Sequence, residues 1–103
     1  MESSVTILNY NGGVTIEIKP AVSLLNNFLR NGIPIDTVCG GRAQCGRCIL
    51  RIVEGKDKLS PVRERERLKL KELHAGENFR LACQSYSRGK VSVEIINFKN
   101  NNP

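Results

Sequence analysis

Three cysteines and three glycines fall within ten residues, CGGRAQCGRC from Cys39 to Cys48, in a chain whose only other cysteine is Cys83. The spacing is C-x5-C-x2-C, and thirty-four residues then separate Cys48 from the fourth thiol. Crowded thiols are reactive, and a loop so rich in glycine forms no regular element that could bury them as ordinary core. A fold that gives all four a common purpose must bring the segment around Cys83 back onto this loop.

Two disulfides would use four thiols, but the redox compartment argues against them. MESSVTILNY has neither the basic start nor the apolar stretch of a secretory signal, and no apolar run is long enough for a membrane span. A cytoplasmic location is expected, where thiols stay reduced and serve metal binding or redox chemistry.

Four thiolates are the full complement for an iron–sulfur cluster. Cys45 and Cys48, two residues apart, can turn both sulfurs to one side of a short loop. A 2Fe–2S core on four thiolates carries about two negative charges oxidised and about three reduced, a charge that backbone N–H groups aimed at sulfur can stabilise. Gly40, Gly41 and Gly46 suit a backbone that must wrap close to such a core. Structural zinc fits less well, because it usually shows two short C-x2–4-C knuckles and only one is present. A Rieske centre needs two histidine ligands, and His74 is the single histidine. A dithiol oxidoreductase would use Cys45 and Cys48 and leave Cys39 and Cys83 unexplained.

The rest of the chain has room for one domain, expected over 1–98, with 99–103 as a frayed tail. Val5–Leu8 and Val14–Ile18 are β-branched, the second alternating, and Asn11-Gly12-Gly13 between them predicts a hairpin. Leu24, Leu25, Phe28 and Leu29 line one face of a helix that Asn31-Gly32 and Pro34 bring to an end. Cys48–Val53 reads as a strand leaving the cysteine loop, ended by Glu54-Gly55. Ser60-Pro61 is a helix-start signal, so a short helix is expected from about Pro61, although Arg63–Lys71 alternates charge with period two. Phe79–Gln84 and Val91–Ile96 predict two further strands. The order is β-β-α-loop-β-α-β-β, a small mixed sheet packed on one helix, which is an α+β class.

CGGRAQCGRC followed by RLACQ resembles the cluster signature of 2Fe–2S ferredoxins with the β-grasp fold. The five-residue first gap is that of the adrenodoxin and putidaredoxin branch. The wording is also similar to ferredoxin domains of some bacterial adenylate cyclases and corrinoid-protein reductive activators. The resemblance implies a β-grasp fold and one 2Fe–2S cluster ligated by Cys39, Cys45, Cys48 and Cys83. It also implies a helix after Ser60-Pro61, and Gln84 matches the residue that commonly follows the last ligand. One departure concerns docking. That branch carries an acidic segment between its third and fourth cysteines, whereas Lys56–Glu72 here holds seven basic and four acidic residues.

A single 2Fe–2S cluster offers no substrate site, so the expected role is a one-electron carrier between a reductase and an acceptor, not an enzyme. The alternative is a redox-sensing or regulatory domain acting on a partner. Arg42, Arg47 and Arg51 lie in or just after the cysteine loop, and with Arg63 and Arg65 they are the candidate docking residues. A positive rim of this kind would favour the reduced state and raise the potential above the plant-type value of roughly −400 mV. The formal charge of +6 predicts acidic patches on the redox partners. Nucleic-acid binding is not expected, because Phe79 and Tyr86 are too few aromatics for a stacking platform. A ubiquitin-like sulfur carrier would need a terminal Gly-Gly, and the sequence ends Asn-Asn-Pro. A monomer is expected.

Overall fold

The β-branched stretches do pair. In the computed structural model, which describes residues 3–36 and 46–98, β1 (Ser4–Ile7) and β2 (Val14–Glu17) form an antiparallel hairpin with Val5 opposite Ile16. The connection turns through Asn11, Gly12 and Gly13, all at positive φ, which glycine adopts at little cost. α1 (Leu24–Arg30) follows, β3 (Ile49–Glu54) leaves the cysteine loop, and α2 (Glu64–Glu72), β4 (Phe79–Leu81) and β5 (Lys90–Ile95) complete the order. The sheet runs β2-β1-β5-β3-β4, with β1 and β5 parallel and every other pair antiparallel.

Alternation places Val5 and Ile7 of β1, Leu50 and Ile52 of β3, and Val91, Val93 and Ile95 of β5 in one core cluster. α1 adds Leu24, Leu25 and Phe28 to it. Ser23 caps α1 by accepting the Asn26 N–H at 3.2 Å, and Gly32 at φ +73° ends it. Buried Asn27 ties α1 to the chain before it, accepting from the Lys19 N–H and donating to the carbonyls of Lys19, Val22 and Ser23. At the far end of β3, Gly55 takes φ +84°, and a Cβ there would collide with the Lys90 carbonyl oxygen. Gly55 therefore lets the chain turn tightly against the start of β5.

Two expectations shift. The second helix forms, but at Glu64, three residues beyond Pro61, with Arg63 as a cap that offers no side-chain hydrogen bond. Ser60 is engaged elsewhere, its Oγ accepting the Tyr86 N–H at 3.1 Å and its own N–H donating to the Tyr86 carbonyl at 2.8 Å. The strand expected through Gln84 stops at Leu81, and Ala82–Gln84 curls into a 3-10 turn. There the Ala82 N–H donates to the Cys48 carbonyl at 3.0 Å and the Ser85 hydroxyl to the Leu81 carbonyl at 2.7 Å. The Ala82 N–H still bonds across to the β3 side, and the local Ser85–Leu81 bond then holds the chain in a turn.

Candidate metal centre

β3 begins one residue after Cys48, and the turn after β4 carries Cys83, so the antiparallel pairing of Ile49 with Leu81 brings the two thiols to the same end of the sheet. The Cys83 N–H points at Cys48 Sγ, 3.4 Å away, and Gln84 Nε2 lies 3.7 Å from Cys83 Sγ. Both cysteine side chains are almost wholly buried, at 1% and 6% exposure. Donors aimed at buried sulfur favour thiolate over thiol and suit a centre that gathers negative charge. Cys39 and Cys45, with Gly40, Gly41 and Arg42, lie outside the described residues. Among the described residues, accordingly, no three metal-ligating side chains converge.

Cys83 is fixed from three sides. The Ser85 carbonyl accepts the first N–H of α1, from Leu24, at 2.8 Å. The Ala82 bond to Cys48 ties the turn to β3. From α2, Glu66 takes a bidentate pair from Arg80, Nε at 2.7 Å and Nη2 at 3.0 Å, and accepts the Leu81 N–H at 2.9 Å. Glu66 is completely buried. Its charge is matched by a planar guanidinium in the geometry that makes such pairs strong.

Glu66 was not legible as a site residue in the charge run RERERLKLKE, nor was its partner Arg80 in FRLACQ. Read with helical spacing, Glu66, Leu70 and Leu73 share one face, the face that meets the core and the loop. Leu70 packs on the core, and Leu73 meets Gly46. Gly46 sits at φ +66°, and a Cβ there would lie 2.7 Å from Leu73 Cδ1. The helix end thus presses directly on the backbone beside Cys48, a close approach that glycine permits.

The candidate arginines separate into two groups. Arg47 faces Asp36 at 3.5 Å, and Arg51 donates to Glu94 at 2.7 Å. Arg63 and Arg65 are exposed at the start of α2 and form no ion pair among the described residues. Arg67, farther along, is held by Glu64 at 2.7 Å, whose hydrogen bond raises the guanidinium pKa further above its usual value.

Known proteins decide what this arrangement belongs to. Residues 8–88 match the 2Fe-2S iron-sulfur cluster binding domain. The chain belongs to the 2Fe–2S ferredoxin family. Ferredoxins of this family are electron carriers, not enzymes, and bind a 2Fe–2S cluster. The chain is 38% identical to 2Fe-2S ferredoxin-5 of Aquifex aeolicus, over 71% of its own length and 77% of that protein. It is 33% identical to one component of the Na(+)-translocating NADH-quinone reductase of Chlamydia felis, over 85% of this chain. It spans only about a fifth of the length of that larger polypeptide. Among solved structures, the ISC-like [2Fe-2S] ferredoxin of Pseudomonas putida superposes with a TM-score of 0.81 at 26% identity, over 98% of each chain. Putidaredoxin of the same organism gives 0.76 at 29% identity, over 90% of this chain and 95% of that one. Putidaredoxin has also been solved in a covalent complex with putidaredoxin reductase. The expected β-grasp ferredoxin fold is thereby shown. Among the described residues no helix is long and apolar enough to cross a membrane.

Proposed function

We propose that this ferredoxin carries one 2Fe–2S cluster ligated by Cys39, Cys45, Cys48 and Cys83, and that it shuttles single electrons between a reductase and an acceptor enzyme. The observation that carries the reading is the meeting of Cys48 and Cys83, thirty-four residues apart in sequence, with an N–H donor aimed at Cys48 sulfur. When bound, the cluster supplies one-electron chemistry as one iron cycles between ferric and ferrous.

The chain's own residues do the remaining work. Cys83 and Cys48 provide thiolates from two different parts of the chain, and the Cys83 N–H lies 3.4 Å from Cys48 Sγ. The Cys83 N–H and Gln84 amide favour the more negative, reduced state. Burial of both sulfurs excludes water from them. A reductase partner is supported by the putidaredoxin–reductase complex of a similar protein. The charge of +6 supports acidic docking patches on the partners. The working unit is a cytoplasmic monomer, with residues 1–98 as the ferredoxin domain and 99–103 as its tail.

Metal analysis tests the ligand set. The wild-type protein, reconstituted without oxygen, is expected to be brown with two irons and two sulfides per chain. Serine at any one of Cys39, Cys45, Cys48 or Cys83 should lower both contents and change the visible spectrum. A colourless zinc protein, or full wild-type iron and spectrum in the Cys83→Ser variant, would overturn it.

A further inference from the structure

Beside Cys83 the surface opens into a cleft of about 400 Å³ lined by Ser60, Arg63, Gln84 and Tyr86. Its walls are tied together. Ser60 and Tyr86 exchange two hydrogen bonds, Leu59 and Ser87 form an antiparallel bridge beyond them, and the Arg88 N–H donates to the Lys58 carbonyl at 3.1 Å. Arg63 is the one charged side chain lining this cleft, and no ion pair engages it among the described residues. Its sequence neighbour Glu64 is turned to Arg67. Tyr86, 41% exposed, adds apolar surface. Another lining residue, Gln84, has its Nε2 3.7 Å from Cys83 sulfur.

Arg47 and Arg51 offer a partner less, because Asp36 and Glu94 already match their charge. We propose that redox partners dock in the Arg63–Tyr86 cleft, by a protein surface segment that places a carboxylate on Arg63 and packs against the Tyr86 ring. The proposal rests on the cluster being held by Cys83. Charge complementarity selects the occupant. An unmatched cation beside an aromatic face, on a chain of charge +6, fits an acidic protein segment, and such a contact ends one residue from a cluster ligand.

Two measurements on the holoprotein test it. In the first, hexaglutamate is titrated into the oxidised ¹⁵N-labelled protein at low ionic strength. Saturable shifts at Ser60, Arg63 and Tyr86 that vanish in Arg63→Glu are expected; shifts centred elsewhere, or none, overturn the proposal. In the second, the reduced protein is mixed with anionic (ethylenediaminetetraacetato)cobaltate(III) or cationic hexaamminecobalt(III). Each oxidant takes one electron, Co(III) becoming Co(II) as the protein returns to its oxidised form. Arg63→Glu should slow the anionic oxidant roughly three- to tenfold and spare the cationic one. Arg30→Glu makes the same charge change at a different cleft and should have a smaller effect. Equal effects of the two variants would overturn the proposal. Failure of the underlying reading shows separately, as a protein without the iron–sulfur spectrum before any oxidant is added.

Discussion

Glu66 has no exposed surface, yet it joins α2 to the strand that leads into Cys83, so its role is to hold the Cys83 segment in place. Glu66→Gln would leave Arg80 buried without a matching charge, at a cost of about 3–5 kcal/mol. Replacing both residues by leucine should cost less than the two single changes summed, because the desolvated charges go together. Denaturant midpoints of Glu66→Gln, and of Glu66→Leu, Arg80→Leu and their combination, check this, and strict additivity of the leucine changes would count against it. Gln84 acts on sulfur directly. Gln84→Leu removes an N–H that favours the reduced state, so the potential should fall by roughly 20–50 mV. A redox titration reads the shift, and an unchanged or raised potential contradicts the assigned role. Of these residues, Cys83 and Gln84 were legible because RLACQ carries them together. Glu66 was not, since alternating charges in RERER disguise the helical face it shares with Leu70 and Leu73.

At the scale of elements, most of the fold could be read from the residues, and the exceptions have physical causes. The hairpin, α1 and the strand β5 follow from β-branching, periodicity and glycine stops. The start of α2 did not, because Ser60, a sound cap by residue type, binds Tyr86 across the fold. Tertiary pairing took the hydroxyl that capping would have used. The strand through Cys83 was overestimated because, beyond the Ala82 bond to Cys48, the Ser85 hydroxyl bonds back to the Leu81 carbonyl and closes a turn. The turn after β3 depends on Gly55, whose left-handed backbone faces the Lys90 carbonyl. Gly55→Ala combines strain with collision and should destabilise the protein by about 2 kcal/mol or more. Thermal unfolding of the holoprotein measures it; a loss below about 0.5 kcal/mol would show that the turn relaxes freely.

Across the whole molecule, charge and the candidate centre combine into one account. The formal +6 becomes about +4 once an oxidised cluster is counted, so the carrier stays basic in both redox states. Electron transfer with an acidic partner should therefore slow steeply with salt as the screening length drops from about 10 Å at 0.1 M to about 3 Å at 1 M. Stopped-flow rates over that range give the slope, and a flat profile would remove electrostatic steering. The sheet brings Cys48 and Cys83 together from distant parts of the chain, and the proposed one-electron centre would use them with Cys39 and Cys45. The most direct test is an anaerobic potentiometric titration of the reconstituted protein, followed by visible absorption and by electron paramagnetic resonance. The account predicts one reversible electron per chain with two irons, and a paramagnetic signal of one spin on reduction. A two-electron, thiol–disulfide-like titration without iron signals would contradict it.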